Sequence, residues 1–121
     1  MELKTIYEKQ LEFENLIIAK TNKWGQKKLE EFTEEEKIAF SKELCLYLYQ
    51  EVAEYVNAVG NYKMHKVQKD VSDRESIKGE IADIFIFAMD LALTQKISYE
   101  ELIDILQKKQ QKNFDRQKNN Y

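Results

Sequence analysis

Glu51-Val52-Ala53-Glu54 and Glu80-Ile81-Ala82-Asp83 are the stretches around which this chain is organised. Each is an acid-x-x-acid unit inside an apolar, strongly helix-forming segment. Residues three apart share one face of an α-helix, so each unit points two carboxylates the same way. Two such helices packed face to face converge four carboxylates on one spot. Without a counter-charge, that cluster repels itself in a low-dielectric interior. A hard cation such as Mg²⁺ takes oxygen ligands and keeps part of its water shell for phosphates, which resolves the conflict. The pattern therefore points to metal-dependent phosphate chemistry.

Working outward, the Glu51 unit lies on a helix that Thr33-Glu34-Glu35-Glu36 opens as a capping box. Ile38, Phe40, Leu44, Leu48, Val52, Tyr55, Val56 and Val59 continue it to Gly60. Glu51 falls in the row Leu44, Leu48, Glu51, Tyr55 and Glu54 sits just beside it, which predicts that neither acid is on a solvated face. The Glu80 unit lies on a third helix, opened by a second capping box at Ser72-Asp73-Arg74-Glu75. Ile77, Ile81, Ile84, Phe85, Ala88, Leu91 and Ala92 give that helix its apolar side. Asp90 interrupts it further on, with two readings open: a neighbour of the metal site, or a salt bridge or helix–helix hydrogen bond. Ser98-Tyr99-Glu100-Glu101 opens the last helix, which carries Leu102, Ile103, Ile105 and Leu106 and ends polar and basic. Basic residues there also suit the helix macrodipole.

Before these comes a first helix over roughly residues 3–24, with Leu3, Ile6, Tyr7, Phe13, Ile17 and Trp24 at helical spacing and Gly25 as the expected C-terminal cap. Gln10 falls on the same stripe. A buried amide must be satisfied by neighbours or face something polar, so Gln10 is either an edge residue or a reader of a ligand. Residues 61–70 form a basic connection that holds His65, the only histidine. Such a run is ordinarily a solvated link. Its place after an acidic helix also suits a metal-bound polyphosphate, which needs cationic partners. Four helices with short links describe an all-α, antiparallel four-helix bundle in one domain, residues 1–121.

Composition narrows the function further. The chain has 121 residues, with 19 Lys+Arg against 22 Asp+Glu and a net charge of −3. That balance gives no reason to expect a nucleic-acid or membrane partner. The apolar run around Ile84 to Met89 is too short for a membrane span, which needs about 20 residues. Met1-Glu2-Leu3-Lys4 lacks the pattern of a secretory signal, and Cys45 is alone, so a reducing cytoplasm is expected. The absence of proline and the presence of only three glycines favour long helices over sheet.

With 25 residues between Glu51-x-x-Glu54 and Glu80-x-x-Asp83, the chain resembles the all-α nucleoside triphosphate pyrophosphohydrolases. That superfamily includes MazG and the dimeric dUTPases. Tyr7-Glu8-Lys9-Gln10-Leu11-Glu12-Phe13 resembles the first motif of the phage and bacterial dUTPase branch. Tyr62-Lys63-Met64-His65-Lys66 resembles its basic loop, and Asn113-Phe114-Asp115-Arg116-Gln117 its C-terminal phosphate-binding segment. The chain has Glu14 where that branch usually carries Asn or Asp, and His65 where it usually carries tryptophan.

The resemblance implies hydrolysis of a (deoxy)nucleoside triphosphate, dUTP foremost, to the monophosphate and pyrophosphate. Glu51, Glu54, Glu80 and Asp83 would hold two or more Mg²⁺ ions, with Mn²⁺ as a substitute. Glu51 and Glu54 would also serve catalysis, helping to deprotonate the attacking water. Lys63, Lys66, Lys109 and Arg116 would neutralise the phosphates, with Asn113 as a hydrogen-bond donor. Gln10 would read the base, with Trp24, Tyr62 and His65 around it. The expected partners are the nucleotide and a second copy of the chain, as a homodimer or a tetramer. The alternatives are a broader MazG-like pyrophosphatase and a non-enzymatic helical adaptor. A di-iron bundle is disfavoured because it needs Glu-x-x-His pairs, and none occurs.

Overall fold

The computed structural model describes residues 2–60 and 74–119. The second capping box's Ser72, the basic connection with Tyr62, Lys63, His65 and Lys66, and Tyr121 lie outside the described residues. Four α-helices make the fold: α1 Leu3–Thr21, α2 Glu34–Ala58, α3 Arg74–Thr94 and α4 Tyr99–Lys118. It is an all-α four-helix bundle, with no strand among the described residues.

Two helix starts follow the sequence signals closely. Thr33 accepts from the Glu36 backbone N–H while the Glu36 carboxylate accepts from Thr33 N, and Ser98 and Glu101 repeat the arrangement. Each box satisfies two backbone donors that a helix start leaves unpaired. The end of α1 differs from expectation. Asn22, at φ 57°, closes the helix in the left-handed conformation, and Gly25 at φ 67° shapes the turn after it. Asn enters that region more readily than most residues because its short polar side chain bonds locally. The early stop frees Trp24 from the helix. Its ring packs against Phe32 at 5.2 Å and Phe40 at 5.7 Å, closing one end of the core. The connecting segment is pinned to α1 by Asn15, whose Oδ1 accepts from Leu29 N at 2.8 Å as the chain enters a short 3-10 turn, Leu29–Glu31.

The central packing is α2 against α3, which run antiparallel, with α1 laid on α3. Along the α1–α3 interface partners fall as residue numbers rise: the Tyr7 hydroxyl donates to Ile97 O and Gln10 to Asp90, so these helices also oppose one another. The core comprises Tyr7, Ile18, Leu29, Phe32, Phe40, Leu44, Met89, Ala92 and Leu93. α4 joins through its first turn, where Lys4 pairs with Glu100 and Tyr7 stacks near Tyr99.

The buried stripes are narrower than apolar spacing predicts. On α1 the buried positions are Tyr7, Gln10, Glu14 and Ile18, while Leu3, Ile6, Phe13 and Ile17 are exposed. On α2, Ile38, Leu46, Tyr49 and Val52 are exposed, and on α3 Ile81 and Phe85. These helices are apolar on more than one side, and a single chain covers only one of those sides.

Candidate metal centre

Near the middle of the α2–α3 interface the rings of Tyr47 and Phe87 meet at 5.9 Å. One antiparallel register carried from that contact sets Glu51 across from Asp83 and Glu54 across from Glu80. The carboxylates of Glu51, Glu54 and Glu80 accordingly each place an oxygen within 4.8 Å of the others. Asp83 stands at the edge of this group, exposed, and its charge acts on both Glu51 and Glu80. The two acid-x-x-acid units are thus brought together. Glu54, expected away from solvent, is exposed, as is Asp83, while Glu51 and Glu80 are half-buried. A three-residue step sets the two acids of a pair on neighbouring lines of the helix, and the packing of α2 on α3 makes one of them the deeper.

The group is electrostatically unfavourable by itself. Two unit charges at 4.8 Å repel by on the order of 3 kcal/mol at an effective dielectric of about 20, and by less where Glu54 meets water. Burial, followed by the hydrogen bond and charge of Glu54, pushes Glu51 up to about 7. Burial and the charges of Glu54 and Asp83 likewise raise Glu80. Glu51 Oε2 and Glu80 Oε2 are both buried with no hydrogen-bond partner among the described residues. Orphaned buried carboxylate oxygens are costly and uncommon. An all-oxygen set of this kind fits a hard divalent cation such as Mg²⁺, which would neutralise the charge and engage the orphaned atoms.

A second polar cluster lies between α1 and α3. Gln10, Glu14, Asp90 and Thr94 are all buried, Asp90 to 1 % and Thr94 to 0 % exposure. Gln10 Nε2 donates to Asp90 Oδ1 at 2.8 Å, and the Thr94 hydroxyl donates to the Asp90 backbone carbonyl at 2.7 Å. Glu14 and Asp90 are also hydrogen-bonded to each other, carboxyl to carboxyl. Burial and the charge of Glu14 raise Asp90 to about 8, and burial raises Glu14 too, so the pair retains a shared proton. Asp90 therefore makes the helix–helix hydrogen bond, the second of its two readings. Glu14, noted in the sequence as a departure from the first motif of the dUTPase branch, sits one turn beyond Gln10 on the same buried face of α1.

The remaining predicted site residues are scattered. Trp24 is built into the aromatic cluster with Phe32 and Phe40. Lys109, Asn113 and Arg116 are exposed on α4, which packs against α1. No contact among the described residues ties Lys109 or Asn113 to the four acids.

A family model described as dUTPase matches residues 2–107. The chain belongs to the dUTPase family. The match takes in α1, α2, α3 and the first half of α4, hence both acidic units and the Gln10 cluster, and stops short of Lys109. No curated protein and no solved structure matches the chain significantly. Membership in this all-α dUTPase family makes the chain a dUTPase-like nucleotide hydrolase. No helix among the described residues is long and apolar enough to cross a membrane.

Proposed function

We propose that the chain hydrolyses a deoxynucleoside triphosphate, with dUTP among the best substrates, to the monophosphate and pyrophosphate in a Mg²⁺-dependent reaction. The observation that carries this reading is the meeting of Glu51, Glu54 and Glu80 across two helices, with two buried oxygens that have no partner among the described residues. Those three acids and Asp83 would hold the divalent ions. Bound there, the ions would supply positive charge to the polyphosphate and acidify a water molecule.

The chain's own groups do the rest. Glu51 and Glu54 stand together on α2 and supply a carboxylate to take the proton of the attacking water. A new bond forms from the water oxygen to phosphorus, a bridging P–O bond breaks, and pyrophosphate leaves. Gln10 reads the base from α1, and Lys109, Asn113 and Arg116 on α4 meet the phosphates. A second copy of the chain is the natural cover for the apolar side chains left exposed on α1, α2 and α3, and the protein works as a homodimer in the cytoplasm.

The test is a panel of canonical and modified nucleoside triphosphates with Mg²⁺ or Mn²⁺, with monophosphate and pyrophosphate both quantified. Equal amounts of the two products, highest on dUTP and abolished by chelator, are expected. Orthophosphate as the product, or no turnover of any nucleotide, overturns the reading.

A further inference from the structure

The Gln10 cluster contains a constraint on what Gln10 can read. A side-chain amide is ambivalent: its NH₂ end donates and its carbonyl end accepts, and the two interchange by a half-turn of the terminal bond. An isolated glutamine could therefore offer either end to a ligand. Here one end is already committed. Gln10 Nε2 lies 2.8 Å from Asp90 Oδ1, and Asp90 is 1 % exposed. Asp90 Oδ1 accepts this bond, and a flipped amide would set the Gln10 carbonyl oxygen against it, so the pairing favours the NH₂ end. Glu14, 5 % exposed, closes the other side of Asp90. Glu14 is hydrogen-bonded to Gln10 as well as to Asp90, so both acids of the pair lie against the same end of the amide.

The opposite end of the amide is available. Among the described residues no donor reaches the Gln10 carbonyl oxygen. Nor is that oxygen one of the buried, unpartnered side-chain atoms, which are those of Ser41, Glu51 and Glu80. Gln10 keeps 8 % of its surface accessible. Asp90 is also placed suitably with respect to the acids. It follows Asp83 by seven residues, two turns of α3, so the two share a face about 10 Å apart along the axis. That is the scale of the sugar that links a base to its phosphates.

We propose that Asp90 is a specificity-determining positioning residue, which holds the Gln10 amide so that its carbonyl oxygen alone faces the substrate and selects a base bearing a ring N–H. The proposal rests on the nucleotide-hydrolase reading above, in which Gln10 meets the base. Uracil presents N3–H at its pairing edge, a match for an acceptor. Cytosine presents a lone pair at the same ring position, which opposes the Gln10 oxygen. Sites that hydrogen-bond a substrate group reject an analogue lacking it far more strongly than apolar pockets do. Replacing Asp90 by asparagine would give Gln10 a partner that can donate or accept, and the amide could then flip to suit either base.

The experiment measures kcat and KM for dUTP and dCTP, with pyrophosphate as readout, in wild type, Asp90→Asn and Glu14→Gln. Wild type should favour dUTP. Asp90→Asn should reduce the dUTP-to-dCTP ratio of kcat/KM at least about tenfold, mainly through KM and with gain on dCTP. Glu14→Gln keeps the Asp90 acceptor at Gln10 Nε2 while altering the Glu14 contact to the same amide, and should lower the ratio less than Asp90→Asn does. A purely structural role for Asp90 would instead lower both substrates together. N3-methyl-dUTP gives an independent check on the unaltered protein, because it removes the N–H: its KM should rise at least about tenfold over dUTP. Unchanged discrimination in folded Asp90→Asn, or N3-methyl-dUTP used as well as dUTP, overturns the proposal while leaving the hydrolase reading intact. No hydrolysis of any nucleotide by wild type overturns both.

Discussion

Glu14 and Asp90 face each other carboxyl to carboxyl between α1 and α3, buried to 5 % and 1 % exposure. Two acids this enclosed cannot both ionise freely, and Asp90 is raised to about 8 from an ordinary 3.8. Between those values the native state holds a proton that the unfolded chain has released, so stability falls as pH rises. The contribution is intact below the ordinary carboxylate value and is lost as pH passes through about 8. Thermal melts of wild type and Asp90→Asn from pH 5 to pH 9 isolate it from the metal-site acids, which shift the same way. The variant should lose less on the way up, ending about 5 °C or more above wild type relative to the offset at pH 5. Parallel curves would show that the pair does not share a proton.

Metal should stabilise the folded chain. Glu51, Glu54 and Glu80 converge only when α2 and α3 are packed, so a divalent ion binds the native state and not the unfolded one. At one hundred times the dissociation constant the gain is about 2.7 kcal/mol. Differential scanning at low salt, with Mg²⁺ or with chelator, measures it. A midpoint indifferent to both would remove the metal from the site.

Glu54→Gln and Asp83→Asn keep shape and remove charge at the two exposed acids. Hydrolysis should fall by roughly two orders of magnitude or more, because a ligand and its charge are lost together. Metal-free stability should hold or rise, since like-charge repulsion is relieved. Near wild-type turnover in both variants would take these acids out of the mechanism.

Gln10→Leu tests the base-reading amide. The substitution removes the amide donor to Asp90 Oδ1, at a stability cost of about 1–3 kcal/mol. Activity on dUTP should drop more than activity on purine triphosphates, with pyrophosphate still the product. Equal losses on all substrates would detach Gln10 from the base.

Much of this protein can be read from its sequence because the relevant forces are local. Helix periodicity, the absence of proline and the capping boxes at Thr33 and Ser98 depend on neighbours within a turn or two. They suffice for an all-α fold, for the starts of α2 and α4, and for the pairing of acids within each unit. The convergence of Glu51, Glu54 and Glu80 was also foreseeable, since two acidic pairs in apolar segments have few other ways to be accommodated.

Other features are decided only when helices pack. A helix apolar on two sides does not announce which side its own chain will cover, and α1 turns Gln10 and Glu14 inward while Phe13 and Ile17 stay out. Glu14 by itself is an unremarkable surface-type residue. It acquires its character from Asp90, far along the chain on another helix, through burial and a shared proton that neither local sequence contains. The depth difference between Glu51 and Glu54 has the same origin. Spacing places both on one face, and only the rotation of α2 against α3 determines which carboxylate loses its water.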